Sequence, residues 1–179
     1  RIQEYNMLRL SSQIAAEDYI DIRFRMPSGE DYIVVSKKKV EIPQIDGVDS
    51  ATTIWLQLTE DEILTMSNAI VENYMIEGSV LYTAKYVEPG TQEKATPTYV
   101  PSEALQNLLR NNDSNILNTA KLALLTRYQG NSDVRNNINN TKNSIDPDDV
   151  ATNISTGVKQ EVSTAQEQRQ DYLDALSGN

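Results

Sequence analysis

The stretch Tyr19-Ile20-Asp21-Ile22-Arg23-Phe24-Arg25-Met26 alternates two kinds of side chain along its whole length. Successive side chains of a β-strand point to opposite faces of a sheet, so this period of two predicts a half-buried strand. One face carries Ile20, Ile22, Phe24 and Met26, and the other carries Tyr19, Asp21, Arg23 and Arg25. We therefore expect the fold to be built on a sheet with one apolar face.

The residues that follow predict a hairpin and further strands. Pro27-Ser28-Gly29-Glu30 has the composition of a tight turn, and a β-rich run then extends from Tyr32 to Ile42 before Pro43. Asp46-Gly47 marks another turn. Three more strands are expected over Ile54 to Leu58, Val80 to Val87 and Thr98 to Val100.

One helix is well marked between these strands. Thr59 followed by Glu62 fits a capping box, and Glu60 and Asp61 suit the positive end of a helix dipole. Its apolar stripe consists of Ile63, Leu64, Ile70, Val71, Tyr74 and Met75, and it ends before Gly78.

After Pro101 the period of two disappears and the pattern becomes helical. Three helices are expected: one from the cap Ser102 to Arg110, one from Ser114 to Gln129 between the cap Asp113 and Gly130, and one opening at Asp146-Pro147-Asp148-Asp149. Residues 116–128 are apolar nearly all round, which predicts a helix buried between other elements.

The last of these helices has a much thinner apolar stripe, formed by Val150, Ile154, Val158, Val162, Ala165, Tyr172, Leu173 and Leu176. A long helix with a narrow apolar seam is typical of one that lies along a neighbour, in the same chain or in another copy. We predict that six of these residues bind a partner: Val150, Ile154, Val158, Val162, Tyr172 and Leu176.

Two other segments have few apolar residues. Residues 131–144 contain six Asn and only Val134 and Ile138 as apolar side chains, so we expect a mobile or partner-ordered connection. Residues 1–16 space Ile2, Tyr5 and Leu8 by three, which predicts a short helix or an arm.

The predicted fold is α+β: an arm or short helix (1–16), a small strand-rich module with one packed helix (17–100) and an all-helical C-terminal extension (101–179).

The composition excludes several classes of function. The 179 residues include 16 Lys and Arg against 26 Asp and Glu, a net charge of −10, with no His and no Cys. His-based acid–base chemistry, disulfides and the usual zinc, haem and iron–sulfur sites are excluded, and no cofactor is expected. A net negative charge argues against direct nucleic-acid binding, which needs a basic surface. No apolar run approaches the roughly 20 residues of a membrane helix, so no membrane partner is expected. No secretory signal opens the chain, so we expect cytosolic synthesis.

The motifs that resemble catalytic or metal sites have simpler interpretations. Ser36 and Lys39 fit Ser-x-x-Lys, but they lie in a strand pattern that points them to opposite faces. The three lysines 37–39 more readily protect an exposed edge strand. Asp146-Pro147-Asp148-Asp149 lacks the later ligands and the Gly of a calcium loop, which favours helix capping. Single, dispersed glycines give no phosphate-binding loop.

The aromatic residues leave two interpretations open. Trp55, Tyr82, Tyr86 and Tyr99 could form a ligand or partner surface, because aromatic side chains concentrate contact area at interfaces. Core packing is the default interpretation.

The passage from Ala51-Thr52-Thr53-Ile54-Trp55-Leu56 to Leu81-Tyr82-Thr83-Ala84-Lys85-Tyr86-Val87-Glu88-Pro89-Gly90, in an acidic chain with a polar helical extension, resembles structural proteins of tailed-bacteriophage virions. The resemblance covers the whole chain and implies a non-enzymatic head–tail connector, neck ring, tail or capsid-auxiliary subunit. It also implies many copies, made in the host cytoplasm and located in the virion, whose partners are other copies and other virion proteins.

Two other functions fit the sequence. A small acidic regulatory or inhibitory protein would use the −7 charge of residues 1–100 (9 − 16) to occupy a basic site. A carboxylate-based hydrolase would need acids such as Glu60, Asp61, Glu62 and Glu88, which the helix start and the turn already explain.

Overall fold

The computed structural model describes residues 1–45, 47–111 and 118–177. The strands are β1 (Ile2–Tyr5), β2 (Tyr19–Arg25), β3 (Asp31–Glu41), β4 (Gln44–Ile45), β5 (Val48–Asp49), β6 (Ile54–Gln57) and β7 (Val80–Lys85). The helices are α1 (Glu60–Met75), α2 (Glu103–Arg110), α3 (Asn118–Gly130), α4 (Ser132–Asn143) and α5 (Pro147–Ser177). The α+β prediction is confirmed.

The main sheet has the strand order β1-β6-β3-β2-β7 and is antiparallel throughout. Ile20, Ile22 and Phe24 of β2 are fully buried, as their alternation predicts. The predicted hairpin turn forms, with Met26 N–H donating to Glu30 O at 2.8 Å and Gly29 at a φ of +101° that suits glycine. Asp46 lies outside the described residues.

The three lysines lie in the part of β3 that pairs with β2, through Lys38 and Lys39. β3 lies between β2 and β6 in the strand order, but its ladder with β6 consists of Val40 and Glu41 and does not include the lysines. All three lysines also bind locally: Lys37 donates to Gln92 O at 2.6 Å, Lys38 lies 2.5 Å from a Glu62 carboxylate oxygen, and Lys39 pairs with Glu17.

The N-terminal residues form neither a helix nor a free arm, and that prediction is wrong. β1 pairs with β6, and Tyr5 and Leu8 are buried in the core. Beyond them, Arg9 covers the outer edge of β7, with its N–H donating to Leu81 O at 2.9 Å. A spacing of three between apolar residues does not distinguish a helix from a short strand when pairing with a distant strand decides the conformation.

Helix α1 packs on the sheet, but its most buried face is not the predicted stripe. The six stripe residues are half-buried or exposed, and Val71 is 39% exposed. Thr59 N–H donates to the Glu62 carboxylate at 3.0 Å, which is one half of the predicted capping box. Met66, Ala69 and Ile76 are buried against the strands. Since this interface holds most of the buried apolar side chains, it is the main core of the protein.

Residues 98–100 form no strand, which corrects the prediction for that segment. Thr98 and Tyr99 N–H groups both donate to Ile33 O, at 2.9 and 3.0 Å, so the chain is extended beside β3 without a ladder. The Tyr99 ring meets Phe24 edge-on with centroids 5.9 Å apart. Tyr99 is therefore a core residue, as the default interpretation predicted.

The helices after Pro101 match the sequence in part. Ser102 caps α2 as predicted, its hydroxyl accepting from Leu105 N–H at 3.4 Å. The proposed cap Asp113 and the first predicted turn of the next helix lie outside the described residues. Helix α3 is not buried all round: Leu124 and Tyr128 are buried, whereas Leu122 is 68% exposed. Only the side of α3 that packs beside α2 and α1 is covered.

Residues 131–144 are not a loose connection, and this prediction is also wrong. They form α4, in which Ile138 is fully buried and Arg135 is 5% exposed. Arg135 Nη2 lies 2.8 Å from a carboxylate oxygen of Glu72, which is 1% exposed on α1. Tyr99 donates its hydroxyl to the same carboxylate at 2.7 Å. An internal ion pair therefore fixes a helix whose Asn content alone would not form one.

Candidate partner interface

Helix α5 begins where the sequence predicts and lies along α1. Asp146 caps it by accepting from Asp148 N–H at 2.9 Å. The helix runs for 31 residues, and none of its described residues is buried. A helix of this length spans about 46 Å at 1.5 Å per residue, so much of its surface faces solvent.

Two contacts position the middle of α5. Gly157 lies so close to Tyr74 of α1 that an added Cβ would be 2.3 Å from a ring carbon, and only glycine fits there. One turn on, the Glu161 carboxylate accepts from the Tyr74 hydroxyl at 2.7 Å, and the Glu161 backbone carbonyl accepts from the Asn6 side-chain amide at 3.2 Å. Partial burial, together with this carboxylate, raises the pKa of Tyr74. These contacts fix the rotation of α5 about its axis.

The contact of the C-terminal half with its own chain is polar. Gln168 donates to the Thr52 hydroxyl and accepts from the Thr53 hydroxyl, both at 2.5 Å. No apolar side chain of this half is buried. Such contacts orient the helix but contribute little free energy, because each replaces hydrogen bonds to water.

The structure divides the six predicted partner residues into two groups. Val150 and Ile154 are half-buried within their own chain. The others are exposed: Val158 by 46%, Val162 by 49%, Tyr172 by 50% and Leu176 by 67%. From Val150 to Val162 the four-residue spacing advances about 40° per step around a helix of 3.6 residues per turn, so this part of the stripe rotates away from α1. The ten residues from Val162 to Tyr172 turn it back by about 80°, so Tyr172 has nearly the same direction as Ile154. Leu173, 44% exposed, joins the outward group.

We call the five exposed side chains Val158, Val162, Tyr172, Leu173 and Leu176 the outer stripe. They follow one side of the helix over about 27 Å at 1.5 Å per residue. The stripe has two groups, Val158 with Val162 and Tyr172 with Leu173 and Leu176, and the residues between them include only Ala165 as an apolar side chain. Isolated exposed apolar residues are ordinary on protein surfaces, but two such groups on one helix are typical of an interaction site.

A cleft of about 570 Å³ adjoins the outer stripe. Trp55 of β6 and Tyr172 of α5 are its aromatic walls, and Gln168 and Arg169 lie between them. Trp55 is 36% exposed and donates its indole N–H to Glu4 at 2.8 Å. The alternation of β6 already placed Trp55 opposite Ile54 and Leu56, but nothing in the sequence indicated that α5 would lie beside it.

The charge of α5 is negative, with six acidic residues against Lys159 and Arg169, a net charge of −4 (2 − 6). Asp171 and Asp174 lie exposed near its C-terminal end, and its last turn has no basic residue. Carbonyl groups concentrate negative potential at that end of a helix, so these carboxylates are unfavourably placed within their own chain.

The candidate catalytic residues have structural partners. Ser36 donates to Asp21 at 2.6 Å, while Lys39 is paired with Glu17, so the Ser-x-x-Lys pair is not assembled. The Tyr86 hydroxyl also donates to Asp21, at 2.9 Å, and the Tyr82 hydroxyl donates to Asp31.

The four candidate hydrolase acids are similarly occupied. Glu60 lies 3.4 Å from an Arg1 nitrogen, Asp61 accepts from the Thr59 hydroxyl at 2.7 Å, and Glu88 accepts from Thr91. For Glu62, burial alone would raise the pKa, but the hydrogen bonds from Lys38 and Thr59 outweigh it and lower the pKa. Within residues 1–45, 47–111 and 118–177, no group of three or more acids is placed to hold a metal ion.

Comparisons with protein-family models, with curated proteins and with solved structures found no match. Among the described helices, none combines the length and apolarity needed to cross a bilayer.

Proposed function

We propose that this protein is a non-enzymatic assembly subunit of a tailed-bacteriophage virion, a ring, neck, tail or capsid-auxiliary component present in many copies. The observation that carries the proposal is a 31-residue helix with no buried residue that displays the outer stripe. Such a helix gains most of its apolar burial when another subunit covers it. Its partners would be other copies of the chain and other virion proteins.

The packed body supports this division of roles. The sheet, α1 and α4 share one buried core, to which α5 contributes no buried residue. A body that presents a long, already formed and partly covered helix is suited to docking with little rearrangement.

Replacing three members of the outer stripe tests the proposal. The variant V158Q/V162Q/L176Q should fold normally and should be lost from purified virions by at least about tenfold, since buried apolar contacts at an interface contribute about 1–3 kcal/mol each. Virion content is measured by quantitative mass spectrometry of particles from complemented infections.

The chain offers a matched control. V48Q/V87Q/L122Q replaces the same residue types at positions that are 70%, 83% and 68% exposed outside α5. This variant should be incorporated like the wild type. Normal incorporation of the stripe variant, or equal loss of both variants, would contradict the proposal.

The acidic-binder alternative has less support from the geometry. Six acids of the first 100 residues form ion pairs within the chain: Glu17, Asp18, Asp31, Glu60, Glu62 and Glu72. Less unpaired negative charge therefore remains to bind a basic site. If binding to any basic partner weakens steeply with salt while the stripe variant is incorporated normally, this alternative is favoured.

A further inference from the structure

The edge of the sheet formed by β7 carries a second cleft, of about 330 Å³, lined by Arg9, Leu10, Ser11, Arg25, Tyr82 and Thr83. Arg9 and Arg25 are both exposed there. Arg25 lies over the Tyr82 ring with its guanidinium carbon 5.4 Å from the ring centroid. Stacking restricts the guanidinium while leaving its N–H groups free to donate.

These two arginines differ from most other basic side chains of the sheet module. Arg23 pairs with Asp31 at 2.8 Å and Lys85 with Asp18 at 2.8 Å. Neither Arg9 nor Arg25 forms a side-chain ion pair with any carboxylate in the described part of the chain. Two guanidinium groups around one cleft, in a chain of net charge −10, therefore have the chemistry of a carboxylate site.

The matching carboxylates lie at the opposite edge of the sheet. Asp171 and Asp174 lie on the same part of α5 as Tyr172, about 100° and 160° from it around the helix axis. Tyr172 lines a cleft with Trp55 of β6 and Glu4 of β1. Since the strand order is β1-β6-β3-β2-β7, that cleft and the arginine cleft are at the two ends of the sheet. The two charged surfaces therefore face different sides of the molecule and do not neutralise each other within one copy.

We propose that the C-terminal end of α5 from one copy docks at the Arg9–Arg25 cleft of a second copy, where the two guanidinium groups bind Asp171 and Asp174. Arginine–carboxylate pairs would offset the unfavourable charge at the negative end of the helix dipole. The contact joins two different surfaces, so it is heterologous, and repetition gives a closed ring or a filament. This inference rests on the proposed function and names one partner of α5.

Charge reversal in the full chain tests the contact. We expect the wild type to self-associate in analytical ultracentrifugation, and R9E/R25E and D171R/D174R each to weaken self-association at least about tenfold. An equimolar mixture of the two variants, or the combined four-residue exchange, should recover most of the affinity. R110E/K159E carries the same charge change as R9E/R25E at exposed sites that form no ion pair in the described part of the chain, and it should associate like the wild type.

The outcomes separate this inference from the proposed function. A wild type that stays monomeric, or self-association that neither reversal weakens, overturns the α5-to-arginine contact, while virion incorporation still depends on the outer stripe. If R9E/R25E fails to fold, D171R/D174R decides alone, since both aspartates are exposed on α5. Recovery in the mixture supports the contact, and loss without recovery overturns it.

Discussion

Helices α4 and α5 are both polar, yet they are held in different ways. α4 has 12 residues, and its Arg135 and Ile138 reach the interior of the protein. α5 has 31 residues and buries none of them. The comparison shows that polarity alone does not separate a helix that belongs to the core from one that lies on its surface: one buried ion pair and one buried isoleucine make α4 part of the body, while α5 leaves most of its apolar side chains exposed.

Removing the internal ion pair should have the largest effect on stability. R135A leaves the buried Glu72 carboxylate with the Tyr99 hydroxyl as a donor and with the partly exposed Lys142, 3.4 Å away, as its cation among the described residues. We expect the free energy of unfolding to fall by about 3–5 kcal/mol, as for other broken buried pairs. Urea unfolding followed by circular dichroism measures it.

K142A is the control for that experiment, because Lys142 contacts the same carboxylate but its side chain is 25% exposed. It should cost less than about 1 kcal/mol. If R135A were as mild as K142A, α4 would not be fixed by its ion pair, and the contrast with α5 would lose its basis.

Substituting Gly157 should release α5 without unfolding the body. In most helix interiors Gly→Ala stabilises by up to about 1 kcal/mol, but here the new Cβ would lie 2.3 Å from the Tyr74 ring. We therefore expect G157A to speed limited proteolysis within α5 while the unfolding midpoint of the sheet changes little.

G130A, at the end of α3 where an added Cβ meets nothing within 4 Å, should leave proteolysis of α5 unchanged. Equal cleavage rates in G157A and the wild type would show that the close approach to α1 does not hold α5.

Acidification should weaken the body through Glu62. Its folded-state pKa is lowered from an unfolded value of 4.5, so the unfolded chain binds the proton first as pH falls. The stability that Glu62 contributes is present above pH 4.5 and is lost as pH falls through the folded-state pKa. E62Q lacks this dependence, so the difference in unfolding free energy between wild type and E62Q should shrink from about pH 6 to about pH 3. A constant difference would be inconsistent with this ion pair.

The smallest expected effect is on the folding of outer-stripe variants. V158Q/V162Q/L176Q should change the free energy of unfolding by less than about 0.5 kcal/mol, because the three side chains are about half exposed or more. Thermal unfolding of the dilute protein checks this. A loss of several kcal/mol would mean that the stripe packs within its own chain.

The sequence predicts the elements whose cause is local. The alternation from Tyr19 to Met26, the turn at Gly29, the helix opened by Thr59 and Glu62, and the start of α5 at Asp146 are confirmed because each depends on neighbouring residues. The elements that the sequence did not predict depend on contacts between distant residues. Residues 2–5 form a strand because they pair with β6, and α4 is fixed by the ion pair of Arg135 with Glu72. No local pattern reports such pairings.

The candidate interface could likewise be predicted only as far as local spacing determines it. The apolar spacing on α5 predicted the stripe, and four of the six predicted residues lie exposed: Val158, Val162, Tyr172 and Leu176. Val150 and Ile154 are half-buried instead, because the close contact of Gly157 with Tyr74 sets the rotation of α5 about its axis. The role of Gly157 was not visible in the sequence, where a lone glycine in a helix carries no signal about its neighbour.

Amide hydrogen exchange on the full chain, dilute and then concentrated, tests most directly whether α5 is held for partners and not for its own fold. In dilute protein we expect amides of residues 158–176 to exchange at least about a hundredfold faster than those of β2 and β3, and to slow on concentration while the sheet amides stay unchanged. Amides of α5 that are as protected as the sheet in dilute protein, and indifferent to concentration, would contradict the account.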